Sequence, residues 1–382
     1  MKRLVVFSHK LFRQTPAGLQ TTGGFTIQMD ALSPYFKHVT LCVPVNQDSE
    51  FQGVGISNPN ISFHPLPYYE GRGDFLRNGL VFRRETIQAI GNADLGLILL
   101  PSYVGLLAST VCQRHRFPIF QWIVGNWSEN IILHRRTPHT RWVASNIIAL
   151  FIDWLTKRLT RNVMTFYNGR IIYDQDKSYH HIRTSSSIRA DDINPRQKGL
   201  QSPYNLLFVG RLSPEKGISY LLEAMALMGP NCEDVILNIA GTGELENVLE
   251  EQTKRLAITH RVLFHGYVPI GEGLFNLYRS SDMLILPSLE DQQPKVLLEG
   301  MSQSLPVIAT NVGGIPSIIQ DGVNGLLIPP GQPDEIVKAC KRILTDDELR
   351  QRLVSEGLKF AKAHTVESET ESMMKLVEAH FN

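Results

Sequence analysis

Three carboxylates lie close together in residues 287–301, PSLEDQQPKVLLEGM, directly after an apolar run. They are Glu290, Asp291 and Glu299. Pro294 is well placed as the first residue of a helix, because the N–H that proline lacks would be unpaired there. Glu299 would then lie just over one turn into that helix and lean back towards its N-terminus, where it could hold two vicinal hydroxyls such as those of a ribose. The alternative for Glu299 alone is a solvated helix carboxylate.

Two cations follow another apolar run, in the segment FVGRLSPEKG. Arg211 and Lys216 would lie at the carboxyl end of a strand, where a guanidinium binds phosphate oxygens in a fork and an ammonium acts as a point charge. Such a pair suits a diphosphate, and the alternative is an exposed basic loop. In AGTGELE, Gly241 marks a strand–turn–helix junction whose amides can approach a ligand, although a plain tight turn explains it equally well.

A glycine pair and a basic segment stand out in the first half. Gly23 and Gly24 open the first predicted helix, after strand 3–9 and a loop over 10–20, and amides at a helix N-terminus can bind an anion. The alternative is a simple helix-start turn. Residues 134–162 carry six Lys or Arg against one Asp, interleaved with aromatic and aliphatic side chains. This composition suits an anionic membrane surface, and the alternative is a helix packed on the core with a basic outer face.

Short β-branched runs alternate with helix-length amphipathic stretches, a pattern typical of βαβ units and parallel sheets. The strand-like runs of the first half are RLVVFSH (3–9), HVTLCVPV (38–45), ISFHPL (61–66), DLGLILL (94–100), PIFQWIV (118–124) and VMTFY (163–167). Those of the second half are NLLFVG (205–210), DVILNIAG (234–241), RVLFHG (261–266), MLILP (283–287), LPVIAT (305–310) and GLLIP (325–329). The sequence therefore predicts an α/β fold with two doubly wound, Rossmann-like domains and ligands in a cleft at the carboxyl ends of the strands.

The domain bounds follow from composition. The polar stretch 191–204 contains two prolines and lacks periodicity, so it is predicted to link a first domain over 1–190 to a second over 205–360. The remaining residues, 361–382, have a helical pattern, and we expect this helix to return towards the first domain.

Composition narrows the class of protein. The net charge is +1, so no global field draws the chain to nucleic acid. The four cysteines form no CxxC pair and are interpreted as buried thiols in a reducing compartment. No leader-like apolar region follows the first residues, and no apolar run is long enough to span a membrane. We therefore expect a cytoplasmic protein, with a peripheral membrane contact through 134–162.

The ordered set of motifs carries a family resemblance. VGRLSPEKG, AGTGELE, LFHGYVP, LYRSSDMLILPS, PKVLLEGMSQSLPVIATNVGGIPSII and DGVNGLLIPP follow one another at familiar spacing. The chain resembles the retaining glycosyltransferases of family 4, the glycosyltransferases group 1 set, which have the GT-B fold. The resemblance covers about 205–330 strongly and the first half loosely.

This resemblance implies transfer of a sugar from a UDP-, GDP- or ADP-sugar to a hydroxyl acceptor on a glycan, a lipid-linked molecule or a small molecule. Arg211 and Lys216 would hold the diphosphate and stabilise it as leaving group, and Glu299 would bind ribose. Asp291 would be its in-register acidic partner, and backbone near Tyr267 would meet the base. Further donor contacts are expected at Gly23, Gly24, Gly241, Gln292, Gln293, Pro294, Lys295 and Val296. Family members use these cations in place of a metal, so no metal or other cofactor is expected, and the string DQD at 174–176 is not interpreted as a metal site.

The sequence also departs from the family pattern. Asp291 replaces a glutamate and is one methylene shorter, QQP replaces the usual Gly-aromatic-Gly, and Gly300 replaces an alanine. The first half lacks the family histidine after strands 94–100 and 118–124. In the loop GNWSEN, the candidates for acceptor-side contacts are Asn126, Ser128, Glu129 and Asn130, against an ordinary polar loop.

Three other classes of protein have part of this pattern. A nucleotide-sugar epimerase on the same fold would need acid and base residues that the sequence does not identify. A catalytically weak sugar-nucleotide-binding or scaffold protein is favoured only by Asp291 and the missing histidine. A dinucleotide dehydrogenase is disfavoured, because no G-x-G-x-x-G follows the first strand.

Overall fold

The computed structural model forms two compact units, Met1–Arg183 with Glu369–Asn382, and Thr184–Ser368. The structure describes residues 1–47, 51, 53–56, 58–125, 139–168, 178–195, 199–200, 202–228 and 234–381, with side chains of the helix at 139–160 described from residue 148 onward.

The first unit is built on a mainly parallel sheet. Its described strands are β1 (Arg3–Phe7), β2 (Phe12–Thr15), β3 (Gly18–Thr21), β4 (His38–Gln47), β5 (Val54–Gly55), β6 (Ile61–Leu66), β7 (Leu95–Leu100), β8 (Ile119–Ile123), β9 (Thr165–Asn168) and β10 (His180–Arg183). Its helices before residue 184 are α1 (Phe25–Leu32), α2 (Arg72–Arg77), α3 (Gly79–Gly91), α4 (Tyr103–Arg114) and α5 (His139–Thr160). Seven parallel strands run in the order β6-β4-β1-β7-β8-β9-β10, and β2 also pairs in parallel with β4. The order in which the chain adds strands therefore reverses between β1 and β7.

Hydrophobic runs explain the central strands of this sheet. Every residue of β7, LGLILL, is buried, as expected for a parallel strand covered by helices on both faces. The predicted loop over 10–20 is wrong in one respect, because β2 and β3 form an antiparallel hairpin there. Their sequences, FRQT and GLQT, are short and polar and lack the apolar alternation that marks a strand.

The second unit contains a six-stranded, wholly parallel sheet in its described part. Its strands are β11 (Tyr204–Val209), β12 (Val235–Ala240), β13 (Val262–Phe264), β14 (Met283–Leu286), β15 (Val307–Thr310) and β16 (Leu326–Ile328). Its helices are α6 (Ile218–Leu227), α7 (Glu246–Arg255), α8 (Glu272–Ser280), α9 (Lys295–Ser302), α10 (Pro333–Thr345) and α11 (Asp347–Ala363). The strand order β13-β12-β11-β14-β15-β16 places the reversal between β11 and β14. The predicted α/β fold with two doubly wound parallel sheets is confirmed.

The chain passes between the units at two points. The first unit ends at Arg183, before the predicted bound at 190, because residues 185–188 are buried and hydrogen-bonded within the second unit. The last helix, α12 (Val366–Phe381), belongs to the first unit from Glu369 onward. None of the helices in the described ranges has the length and apolar character needed to cross a membrane.

Candidate functional site

The strongest candidate site lies at the carboxyl edge of the second sheet. Parallel strands all end at the same edge, and ligands of doubly wound sheets bind where the strand order reverses. Here that point lies between β11 and β14, which are followed by the loops 210–217 and 287–294. These are the loops that contain both predicted cations and Asp291.

Backbone contacts fix these loops against their neighbours. A side chain at Gly241, which follows β12, would place its Cβ 1.8 Å from the carbonyl oxygen of Gly210. A side chain at Gly314, after β15, would place its Cβ 1.5 Å from the carbonyl oxygen of Gln292. Only glycine allows so close an approach of two backbones, so these glycines join the four strand-end loops in two pairs, after β12 and β11 and after β15 and β14.

Lys216 and Asp291 meet across two of these loops. The Lys216 Nζ donates a hydrogen bond to Asp291 Oδ2, which also accepts one from Ser288 Oγ at 3.3 Å. Gly217 ends the Lys216 turn with φ +64°, and a Cβ there would lie 2.1 Å from the carbonyl oxygen of Pro287. The structure thus brings together a cation and an acid that are 75 residues apart in sequence, on backbones in direct contact.

Arg211 adds exposed positive charge to the same loop as Lys216. Burial alone would raise the pKa of Glu215, but the pKa is lowered overall, chiefly by the Ser213 hydroxyl, which donates a 2.5 Å hydrogen bond to it. A backbone hydrogen bond and the positive charges of Arg211 and Lys216 act in the same direction. Glu215 is therefore ionised at neutral pH.

Glu299 occupies a buried position. It lies in α9, just over one turn from the helix start, and is 5% exposed. Its Oε1 accepts a 2.6 Å hydrogen bond from Ser187 Oγ, and its Oε2 accepts one of 2.8 Å from the hydroxyl of Tyr278. Burial, followed by the Glu299 charge and this hydrogen bond, raises the pKa of Tyr278 well above its ordinary value, so Tyr278 stays a donor. The solvated carboxylate considered for Glu299 is not what the structure shows.

The other predicted donor contacts of the second unit lie at this carboxyl edge, in loops or, for Lys295 and Val296, in the first turn of α9. Gln293 holds the segment after Arg183, because its Oε1 accepts a 2.9 Å hydrogen bond from the Ser185 amide. Pro294 is the residue before α9 rather than its first helical residue, with extended backbone. Tyr267 follows β13 and is 41% exposed. The remaining three, Gln292, Lys295 and Val296, are half-buried.

In the first unit, Gly23 and Gly24 precede α1 as predicted. Gly23 has φ +74° and Gly24 is the N-cap residue. Sequence reasoning missed His9 and Lys10, which follow β1 at the strand-order reversal of this sheet. Loss of hydration, followed by the Lys10 charge, lowers the pKa of His9, although the residue as a whole is exposed to solvent, so its imidazole is mainly neutral at pH 7. The sequence signal that could have indicated His9 is its position directly after the first strand.

Several predicted features lie outside the described residues. These are the acceptor candidates Asn126, Ser128, Glu129 and Asn130, residues 134–138 of the basic segment, and the DQD string at 174–176. The described side chains of His, Cys, Asp and Glu include no group of three or more placed to hold a metal ion.

Comparison with known proteins finds similarity mainly to the second half of the chain. Residues 191–360 match the family model described as Glycosyl transferases group 1. An uncharacterized glycosyltransferase of Methanocaldococcus jannaschii, MJ1607, is 38% identical over 154 residues, which are 40% of this chain and 39% of that protein. The alpha-D-kanosaminyltransferase of Streptomyces kanamyceticus is 31% identical over 179 residues, 45% of this chain and 46% of that enzyme. The chain thus spans less than half the length of these two curated relatives.

Solved structures match over the whole chain. Sucrose-phosphate synthase from Thermosynechococcus elongatus has a TM-score of 0.76 at 17% identity, with 100% of this chain and 99% of that chain covered. Anabaena HepE, solved in complex with UDP-glucose, has a TM-score of 0.73 at 16% identity, with 99% and 100% covered. At these identities the matches show the fold alone, and that fold is GT-B. The two curated relatives named above are both described as glycosyltransferases.

Proposed function

We propose that this chain, whose residues 191–360 match the glycosyl transferases group 1 family model, transfers a sugar from a nucleoside-diphosphate sugar to a hydroxyl acceptor with retention of configuration. A hexose is the proposed sugar. The observation that carries the proposal is the pairing of Lys216 with Asp291 at the strand-order reversal of the second sheet. This is the position at which doubly wound sheets bind nucleotides.

The proposed chemistry uses fixed positive charge. As the bond between the sugar and the diphosphate breaks, negative charge grows on the leaving phosphate oxygens. Lys216 and Arg211 stabilise that charge, Lys216 as a partly buried point charge and Arg211 through its guanidinium fork. In this proposal the two cations replace a metal, and the departing phosphate accepts the proton of the acceptor hydroxyl, so no enzymic base is required.

Asp291 has two tasks in this proposal. It neutralises the Lys216 charge through the observed ion pair. When the diphosphate of the donor binds Lys216, Asp291 contacts the donor sugar instead. Its backbone is fixed, since its carbonyl oxygen accepts a 2.9 Å hydrogen bond from the Gly314 amide. An aspartate on this backbone reaches one methylene less far than a glutamate, so Asp291 is the residue that we expect to set donor preference.

Glu299 is proposed to contact the ribose. Each of its carboxylate oxygens accepts a hydrogen bond from one protein hydroxyl and keeps a second lone pair that can accept one from a ligand hydroxyl. Ser187 and Tyr278 would fix the orientation of the carboxylate. The crystal of HepE with UDP-glucose makes UDP-sugars the first donors to test. A cytoplasmic location and contact of 134–162 with an anionic membrane complete the proposal.

The test compares Lys216→Ala with a matched lysine variant. Lys254→Ala removes an exposed lysine of α7 that pairs with Glu251, outside the proposed site. UDP-, GDP- and ADP-sugar turnover is measured as nucleotide release with candidate acceptors present. Losing a charge that acts on the leaving group should lower kcat by about 10²–10³-fold in Lys216→Ala. The lysine control should retain wild-type turnover.

The readouts separate the alternatives. Full activity in Lys216→Ala would contradict the diphosphate assignment. Saturable nucleotide-sugar binding by the wild-type chain without turnover of any donor would contradict the transferase function. Analysis of the product anomer by NMR tests retention, and turnover that requires an added divalent cation would contradict metal independence.

A further inference from the structure

A cavity of about 570 Å³ lies in the first unit, among helices α2, α3, α4 and α5. It is far larger than a packing defect and falls within the range of small-ligand sites. Apolar side chains form most of its wall, among them Phe75, Leu106, Leu107, Val111, Phe151 and Ile152. It is lined from Tyr103 to His115, so it follows α4 for about 18 Å at 1.5 Å per residue.

Positive charge lies at the margin of this cavity. Arg72, Arg83 and Arg114 contribute to its lining and are all exposed, and His115 lies beside the last of them. Within the described ranges none of the three arginines forms an ion pair with a carboxylate. An apolar interior with guanidinium groups at its margin is complementary to a molecule with a hydrocarbon chain and an anionic headgroup.

Helix α5 is apolar on two faces beside the cavity. Ile152 is buried, whereas Leu150, Phe151 and Trp154 are 63%, 57% and 52% exposed. Phe151 and Trp154 stack with centroids 5.7 Å apart, and the Arg158 guanidinium lies 5.7 Å from the Trp154 ring. Exposed aromatic groups next to cations are typical of a helix that lies in the headgroup region of a bilayer.

We propose that this cavity holds one acyl chain of an anionic phospholipid, with the lipid phosphate on Arg72, Arg83 and Arg114. Its length of about 18 Å is comparable to one leaflet of a hydrocarbon core about 30 Å thick. Leu150, Phe151 and Trp154 then contact the bilayer surface around the bound lipid. The inference deepens the membrane contact proposed above, and it does not depend on transferase activity.

The test measures co-sedimentation of the full chain with vesicles. Phosphatidylcholine vesicles containing phosphatidylglycerol are compared with pure phosphatidylcholine vesicles. Leu107→Trp fills the cavity, and Arg114→Gln removes one cation from its margin. The matched controls are Leu227→Trp and Arg255→Gln, which change an exposed leucine and an exposed arginine of the second unit.

Binding should require the anionic lipid. Arg114→Gln should weaken it about fivefold, the value of one basic residue at an anionic surface. Leu107→Trp should weaken it at least as much, and both controls should bind like wild type. If Leu107→Trp does not fold by circular dichroism, Thr110→Phe fills the same cavity from an exposed position.

Two results would overturn the proposal. Equal binding to both kinds of vesicle would remove the role of the anionic headgroup. Loss of binding in Arg114→Gln with wild-type binding in the cavity-filling variants would show surface electrostatics without an occupied cavity. Nucleotide release by the same variants is recorded separately with a soluble acceptor, so that failure of lipid binding is distinguished from failure of the transferase.

Discussion

Replacing Tyr278 by phenylalanine tests whether Glu299 is the buried carboxylate that the structure shows. The hydroxyl of Tyr278 donates to Glu299 Oε2 at 2.8 Å, and the tyrosine has no exposed surface. Tyr278→Phe keeps the ring and removes only this donor. A hydrogen bond to a charged group contributes about 1.5–3 kcal/mol.

The expected loss is therefore about 2 kcal/mol in the free energy of unfolding of the second unit. For a unit of this size, that corresponds to a fall in Tm of about 4–8 °C. Unfolding is followed by circular dichroism and by differential scanning calorimetry, which separates the two units if they unfold independently. Tyr220→Phe is the matched control, because Tyr220 is a half-buried tyrosine of the same unit.

A second variant tests the other hydrogen-bond donor to Glu299. Ser187→Ala removes the donor to the other carboxylate oxygen, and the double variant measures coupling through Glu299. A loss below about 0.5 kcal/mol in Tyr278→Phe, equal to that of Tyr220→Phe, would refute the buried network. This result would favour the alternative from the sequence, in which Glu299 is a solvated helix carboxylate.

Two further changes test the strand-end loops and an ion pair of the first unit. Gly314→Ala should cost about 1–3 kcal/mol in unfolding free energy, because its Cβ would meet the carbonyl oxygen of Gln292. Gly273→Ala is the control in α8, where the added Cβ would meet only Val268 Cγ1 at 4.0 Å, an ordinary contact, so this variant should be neutral or stabilising by urea denaturation. Equal effects of the two changes would contradict the loop contact. The pKa of Asp94 is lowered from 3.8 to about 2, mainly by hydrogen bonds from the Arg3 side chain and next by a hydrogen bond from the Arg3 backbone amide. Because the folded-state pKa is the lower one, Asp94 stabilises the fold above about pH 3.8 and loses this effect as the pH falls towards about 2. The difference in urea midpoint between wild type and Asp94→Asn should therefore be constant from neutral pH to about pH 4.5 and shrink below it, and a pH-independent difference would contradict the assignment.

Much of the fold could be predicted from the sequence because its central strands are continuous apolar runs. β7 and β14 are buried throughout, and such runs stand out against amphipathic helices. The strands that were missed, such as β10, with the sequence HHIR, are short and polar. Their pairing depends on neighbours that are distant in sequence, so local composition does not mark them.

The sequence predicts those residues of the candidate site that directly follow a strand, because ligands of parallel sheets bind at the carboxyl ends of the strands. Lys216 was predicted in this way, Asp291 was predicted from its spacing to Glu299 through the family resemblance, and the structure places the two side chains in contact. The environment of Glu299 was not predictable, because its hydrogen-bond donors lie 112 and 21 residues away in sequence. His9 was not predicted, because the family resemblance places a histidine after later strands and not after the first strand.

The path of helix α12 has a consequence for how the chain acquires its structure during synthesis. Met373, Met374 and Val377 are 3%, 2% and 2% exposed and pack in the same core as Leu4 and Phe36. The ribosome makes all of the second unit before it makes these residues. The second unit can therefore complete its core first, while the earlier-made unit waits for its last helix. A fragment that stops at Arg183 should expose that core. Adding a separate peptide of residues 369–382 to this fragment should bury the core again.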